Sequence, residues 1–539
     1  MKLEKIESPI QNKVLHAYRH NETFLHKYFD YGNEDSSYKQ RVKELKERDF
    51  KRTELANVIR EFMTPFGLSS TANKHIDDLM RDDAVTVVGG QQAGVLTGPL
   101  YSVHKAITVI MHAKEQRETL GIPVIPVFWV AGEDHDLHEI NHVYSEVNGQ
   151  VIKEQIQDKF VMKLMASDAQ FERDKMVDFV KGIFEKFGET SHTEKCLTEV
   201  LEAIDKEMTF TGFFVRLMNG FFADEGLLFI DAAYGPLRTL ESEYFCKLIQ
   251  ASGDIASSIV ETEKQFQFDG FGIPIDAQED ATNLFYVHET GRMLLSRRDG
   301  EFVNDSVGIQ FTEEKLLEIA KNQPTFLSNN VASRPLMQEL VFPVLAFIGG
   351  AGELAYWAVL KNAFHHLGLK MPIFVPRMSI TLVSRQTEKV LRENSLTVEE
   401  VMGGAATNEK IAYLEKLRDD NFIEEINKME EKLAMEYERL SEWFGQEEKM
   451  MNELLQQNLS YHAKQFNYLK HKYEDTLYMK HEVAIRKFDK MASELFPNGQ
   501  LQERIYHPYV YLNQYGPSLI KDLLALPLEN DGSHYVIYL

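Results

Sequence analysis

Residues 84–110 read AVTVVGGQQAGVLTGPLYSVHKAITVI, and residues 123–142 read PVIPVFWVAGEDHDLHEINH. Each stretch opens as a Val/Ile-rich apolar run and ends in polar chemistry. The first, Ala84 to Val88, breaks at Gly89-Gly90 and passes through Gln91, Gln92 and Thr97 to a Gly98-Pro99 pair that can open a helix. The second, Pro123 to Ala131 with Trp129 near its end, has the composition of a strand buried on both faces, and Glu133, Asp134, His135 and Asp136 follow almost without a spacer. Open α/β sheets bind ligands at the carboxyl ends of their strands, so both polar clusters are predicted to face one crevice.

Further strand-helix units extend the pattern. Gly226 to Asp231 is predicted as a strand placing Asp231 at its end, with a helix from Pro236, and Met371 to Val383 as a late strand bearing Arg377. The apolar run Leu340 to Ile348 leads through Gly349-Gly350-Ala351-Gly352 into a helix with Glu353, Tyr356 and Trp357. That Gly-rich junction suits either backbone approach to a carboxylate or tight helix packing. Arg334, just upstream, is a candidate anion ligand. Residues 281–303 read as a hairpin turning at Glu289-Thr290-Gly291. Residues 145–225 carry polar amphipathic patterns, with helices over Asp174 to Phe187 and Glu194 to Asp205, and are expected to be an insertion.

Composition bounds the function. With 83 acidic against 59 basic residues, a formal net charge of −24 argues against a nucleic-acid partner, because phosphate neutralisation needs clustered Lys and Arg. No apolar span approaches the roughly 20 residues that cross a bilayer, and MKLEKIESPIQNK lacks the apolar core of a secretory signal, so a cytoplasmic location without membrane partners is expected. Two cysteines, Cys196 and Cys246, exclude a disulfide framework or a Cys-based zinc site.

Twelve of the sixteen prolines lie between residues 9 and 376, and none lies between 377 and 496. Within that interval Phe422, Ile426, Met429, Leu433, Tyr437, Leu440 and Phe444 recur at helical steps, and the pattern resumes after Gly445. Two long helices are predicted, as an antiparallel or intermolecular coiled coil suited to a homodimer, or as a lid within one chain. The expected organisation is a core over 1–383, a helical arm over 384–496 and a return to the core over 497–539.

Several residues carry candidate chemistry. Gly89-Gly90-Gln91-Gln92 offers backbone N–H groups and amides to an anion, although neither GxxxxGK[ST] nor GxGxxG is present. Tyr101, His104 and Lys105 fall on the first turns after Pro99, and one of the latter two can face the crevice. The cluster from Glu133 to Asp136 suits a cationic amine, a sugar polyol or a metal-bound nucleotide, or is simply a solvated loop. His138-Glu139-Ile140-Asn141-His142 matches the H-E-x-x-H zinc pattern, but it follows a buried strand too closely for a long zinc-binding helix and no third ligand follows.

Taken together, GGQQAGVLTGPLYSVHKA, FWVAGEDHDLHEINH, NNVASRPLMQELVFPVLAFIGGAGELAYWAVL, MPIFVPRMSITLV and HPYVYLNQYGP resemble the cysteine ligases of bacillithiol biosynthesis over essentially the whole chain. The resemblance implies an α/β, Rossmann-like parallel-sheet core similar to class I aminoacyl-tRNA synthetases, with helical insertions and a coiled-coil domain. It also implies a ligase that adds cysteine to glucosaminyl malate, with ATP as energy source, Mg2+ as its companion and no structural metal. On this reading Asp134, His135, Asp136 and Arg377 are expected to be catalytic. Substrate would be bound by Gln91, Gln92, Thr97, Tyr101, Trp129, Glu133, His142, Asp231, Arg334, Gly350, Glu353 and Tyr356, and nucleotide by His104 and Lys105. The synthetase signatures are altered: Ser102-Val103-His104-Lys105 stands for His-x-Gly-His, and Arg377-Met378-Ser379-Ile380 for Lys-Met-Ser-Lys. Those departures keep open a non-enzymatic dimeric scaffold, with a zinc hydrolase as the third reading.

Overall fold

Five strands form one parallel sheet: β1 (Val85–Gln91), β2 (Val124–Val130), β3 (Leu228–Asp231), β4 (Val344–Gly349) and β5 (Ile373–Pro376), in the spatial order β3-β2-β1-β4-β5. This computed structural model describes residues 1–7, 12–157, 164–445 and 447–539. The chain builds outward on one side from β1 to β3 and then returns to the other side of β1. The order therefore reverses between β1 and β4, and at such a switch point the connecting segments diverge and leave a crevice.

The sheet is dry. Every residue of β2 is buried, as is every residue of β3, and Val127, Phe128 and Ile230 are fully enclosed. Helix α1 (Leu100–Leu120) connects β1 to β2, and burial around most of its circumference explains why its sequence lacks a clear polar face.

Two strand boundaries differ from the sequence reading. Gly89 and Gly90 do not break β1; they pair with Phe128 and Trp129 and carry the strand through to Gln91. Glycine is required by proximity, since a Cβ on Gly90 would lie 2.4 Å from the Trp129 carbonyl oxygen and one on Gly89 would lie 2.7 Å from Val109. The expected strand over Met371 to Val383 is two strands. At Arg377, whose N–H donates to the Gly349 carbonyl at 2.8 Å, the chain leaves the parallel sheet, and Ser379–Val383 joins a separate three-stranded sheet with Lys2–Ile6 and His534–Tyr538. Pro376 is tolerated at this end because the strand is at the sheet's edge and the bond to Gly349 is made by the Arg377 N–H.

The supposed insertion is shorter than 145–225. Helices Arg173–Phe187 and Thr193–Lys206 are amphipathic as read, but the helix Phe210–Phe222 belongs to the core, with Phe213, Phe214, Met218 and Phe222 fully buried. Phe214 meets Phe128 of β2 at a 6.0 Å ring separation, and burying each such ring contributes about 1.5–3 kcal/mol. Residues 158–163 lie outside the described residues. The 281–303 hairpin forms as read, Ala281–His288 against Gly291–Arg298, and belongs to a five-stranded sheet in the connection from β3 to β4.

By internal contacts the chain divides into one unit of Met1–Glu146, Val151–Leu382 and Gln500–Leu539, and another of Val147–Gln150 and Val383–Gly499. In the second unit, α3 (Asp420–Phe444) and α4 (Lys449–Leu495) form an antiparallel pair within one chain. Phe422 contacts Tyr473 at 4.7 Å between ring centres, while near the tip Tyr437 donates to Asn458 at 2.5 Å and Ser441 to Asn452 at 2.5 Å. None of the described helices is long and apolar enough to cross a membrane.

Gly90 is crowded and Gly352 is not. Gly90→Ala is expected to lower unfolding stability by about 1–3 kcal/mol through overpacking. Gly352→Ala, a helical position with open space around its Cβ, should leave stability unchanged or raise it by up to about 1 kcal/mol. Urea unfolding of the two variants checks this; equal losses would contradict the packing account.

Candidate active site

A cavity of about 300 Å3 opens at the carboxyl ends of the strands flanking the switch point. Gly90, Gln91 and Gln92 line it from the end of β1, Trp129 and Ala131 from the end of β2 and just beyond it, Gly350 from the turn after β4 and Glu353 from the helix that follows. Asp134, Arg334, Tyr356, Arg377 and Tyr101, also singled out in the sequence, line it too, as do Arg504 and Gln338, which were not.

The four polar residues after β2 separate by environment. Glu133 is 0% exposed: its carboxylate accepts from Arg238 at 2.5 Å, from Arg334 Nε at 2.9 Å and from the Asn329 N–H at 3.1 Å. Burial alone would raise its pKa, but the guanidiniums of Arg238, Arg334 and Arg292 outweigh that and hold it below the usual carboxylate range. Glu133, expected to bind substrate, is thus not among the residues lining the cavity and instead anchors arginines beside it. Asp134 reaches the cavity wall, where it accepts from Arg334 Nη2, lies 3.5 Å from Arg292 Nη1 and receives a long 3.5 Å contact from the Gln92 amide. His135 sits behind it, 3.4 Å from Arg292, and Asp136 points into solvent.

Arg292, from the hairpin, was invisible to sequence reasoning. Its guanidinium lies 3.9 Å from the Phe285 ring centre and donates to Ser328 Oγ at 2.6 Å and to the Asn329 carbonyl. Burial lowers its pKa to about 10.

Arg377 and His104 share one partner. Glu503, from the C-terminal return, accepts from both terminal nitrogens of Arg377 at 2.9 and 2.7 Å, from Ser379 Oγ at 3.0 Å and from the Ile380 N–H at 3.2 Å, and lies 2.9 Å from His104 Nδ1. Burial works against that charge, yet Arg377 and His104 hold the Glu503 carboxyl well below its usual range. A two-pronged arginine-carboxylate pair of this kind fixes the guanidinium plane at the cavity wall, and the Arg377 guanidinium lies 5.6 Å from the Tyr101 ring centre. The only sequence hint of this clamp was the polar trio Gln502-Glu503-Arg504 just before HPYVYLNQYGP.

His104 and Lys105 are fully buried and are not among the residues lining the cavity. Lys105 Nζ donates to the Gly90 carbonyl at 2.7 Å, Gln91 Oε1 at 2.9 Å and Glu353 Oε2 at 2.6 Å, beneath the lining; burial lowers its pKa against the pull of Glu353. Thr97 is also enclosed and does not line the cavity; it and Leu96 take left-handed φ values of 71° and 51° in the turn before α1. Asp231 lies at the sheet's edge strand and accepts from Ser167 Oγ at 2.6 Å, and burial pushes its carboxyl up to about 6. His142 falls in the strand His142–Val147, whereas His138 lies on a four-residue helix ending at Ile140. The two histidines are therefore not on one helix face, as the zinc pattern requires, and among the described residues no group of three or more His, Cys, Asp or Glu is arranged to hold a metal.

Gly349, the last residue of β4, and Gly350 just after it differ in what surrounds them. A Cβ on Gly349 would strike Phe374 at 2.4 Å, so it serves packing, while Gly350 borders the cavity with Arg377 Nε 3.5 Å from its notional Cβ. Three arginines, Arg334, Arg377 and Arg504, and two carboxylates, Asp134 and Glu353, line the cavity, which leaves a basic excess in a strongly acidic protein. Trp129 contributes an indole N–H with no partner among the described residues.

Glu241 is a second fully buried carboxylate beside Arg238. Its carboxyl lies 3.8 Å from Arg238 Nε, has no hydrogen-bond partner among the described residues, and is pushed up to about 8 by burial. Unfolded, it ionises near about 4.3, so the folded state binds the extra proton in between and stability falls as pH rises through that window. Glu241→Gln should remove this decline; unfolding free energies at pH 5 and pH 8.5 whose difference matches the parent's would contradict it.

Comparison with known proteins agrees with this architecture. The family model for the N-terminal Rossmann-like domain of BshC, of bacillithiol biosynthesis, matches residues 1–378, and that for its C-terminal coiled-coil domain matches residues 380–539. A protein of Lysinibacillus sphaericus described as "Putative cysteine ligase BshC" is 46% identical over 540 residues, covering 100% of both chains. Proteins of the same description from Oceanobacillus iheyensis and Geobacillus thermodenitrificans are each 34% identical, again with 100% of both chains covered. With its parallel sheet, its helical hairpin and matches running the length of the sequence, this chain belongs to the BshC family of bacillithiol biosynthesis.

Proposed function

We propose that this protein joins the carboxyl group of cysteine to the amine of glucosaminyl malate, forming an amide in the last step of bacillithiol biosynthesis, in the cytoplasm. The observation that carries the reading is a switch-point cavity lined by two carboxylates, Asp134 and Glu353, and three arginines, Arg334, Arg377 and Arg504. An amine nucleophile must lose a proton, and of the two cavity carboxylates Glu353 is held by Lys105 and the Gly350 N–H, so Asp134 is assigned to receive it, with His135 behind. The malate carboxylates call for guanidinium partners, which Arg334 and Arg504 supply. Arg377, held in plane by Glu503, faces charge developing on the acyl oxygen. The Gln92 amide and the Trp129 N–H remain to orient sugar hydroxyls. ATP with Mg2+, when bound, supplies the free energy that making an amide from a carboxylate requires, and the cavity's arginines suit its phosphate oxygens.

One observation favours the scaffold reading: His104 and Arg377, which stand where synthetase signature residues would be, are both committed to Glu503. Purified protein incubated with cysteine, glucosaminyl malate and ATP-Mg, followed by mass spectrometry of the thiol and of AMP or ADP, separates the two. Turnover is expected, and Asp134→Asn should reduce kcat by about 10²–10⁴-fold with folding intact. No product from folded protein would contradict the ligase reading and support the scaffold.

We further propose that the helical arm mediates a homodimer. Trp443 is 83% exposed, Met435 66% and Met429 59%, an apolar display that a second copy would cover. Light scattering should give twice the 62.2 kDa chain mass, and a monomer would contradict it.

A further inference from the structure

We propose that a second chamber adjoining the first is an anion-binding subsite, which takes a carboxylate or phosphate group of one of the small-molecule substrates. The chamber measures about 120 Å3 and shares Gly350, Arg377 and Arg504 with the main cavity. The two are therefore compartments of one site divided by those residues.

Three features give the chamber its chemistry. Arg504 is exposed and has no hydrogen-bond or ion-pair partner among the described residues, unlike the clamped Arg377 beside it. The helix α2 (Ala351–Ala358) starts at the chamber wall, so the N–H group of Ala351, which has no intrahelical acceptor, sits there at the positive end of the helix. Independently of both, His534 lines the chamber at 1% exposure with its Nδ1 lacking any partner among the described residues. Its Nε2 lies 2.8 Å from Thr381 Oγ1. When the threonine hydroxyl donates to Nε2, the neutral ring carries its proton on Nδ1 and becomes a donor. Burial holds this imidazole neutral, lowering its pKa to about 4.

An orphaned buried polar atom carries a cost that a ligand's acceptor would relieve. Glu503, the carboxylate in the lining, does not oppose an anion as a free charge would, because its oxygens are taken by Arg377, Ser379, His104 and the Ile380 N–H. The identity of the ligand as a reaction substrate rests on the ligase reading, whereas the anion subsite itself does not.

Calorimetric titration of the full-length protein tests the proposal without turnover, using pyrophosphate and ATP as phosphate probes and cysteine and malate as carboxylate probes. Leu15→Trp fills the second chamber without touching the first, Ala351→Leu does so from another element should the tryptophan prevent folding, and Arg504→Ala removes the free cation. At least one probe should bind, and it should weaken about tenfold or more in both a filling variant and Arg504→Ala at unchanged melting temperature. Loss confined to pyrophosphate and ATP assigns a phosphate, and loss confined to cysteine or malate assigns a carboxylate. Binding that survives the filling variants, or no binding by any probe, overturns the proposal.

Discussion

Glu133 is the constraint on which the site depends. Its fully buried carboxylate ties together Arg238 from the helix after β3 and Arg334 from the helix before β4, and holds the Asn329 backbone as well. Burying such a cluster need not stabilise the fold relative to an apolar replacement, but losing one member leaves uncompensated charge and costs about 3–5 kcal/mol. What the cluster secures is placement. Arg334 reaches from Glu133 to Asp134, so the buried carboxylate sets the position of the cavity carboxylate through a shared guanidinium.

A second clamp repeats the logic on the other side of the switch point. Glu503, brought in by the last forty residues, fixes Arg377 where the chain leaves β5. The cavity is thus closed between two buried carboxylates, each holding an arginine at its wall. The sheet supplies the rigidity beneath: β1 and β2 approach so closely at Gly90 and Trp129 that any side chain at Gly90 would collide with the backbone.

The parallel sheet was legible because strands buried on both faces read as uninterrupted apolar runs, and the ends of those runs located the crevice. Which polar residue enters it was not legible. Glu133, Asp134 and Asp136 are chemically alike and nearly adjacent, yet one is buried, one lines the cavity and one is solvated, a sorting decided by arginines remote in sequence. Arg292 and Glu503 carry no periodic or motif signal, because their role depends on where a hairpin and a terminal return are folded back. The glycine runs misled in a specific way: Gly89-Gly90 signals a turn by composition but answers to close strand packing. The helical hairpin was read from its apolar spacing, whereas spacing alone left open whether the pairing lies within one chain.

A double-mutant cycle between Glu133 and Arg334 tests the central claim most directly. Unfolding free energies of Glu133→Gln, Arg334→Met and the double variant would give the coupling between the two side chains. The account predicts a coupling of about 1–3 kcal/mol, as expected for members of one buried network. A coupling within about 0.5 kcal/mol of zero, the range of independent sites, would mean that Glu133 does not position Arg334 and that the cavity is organised by something else.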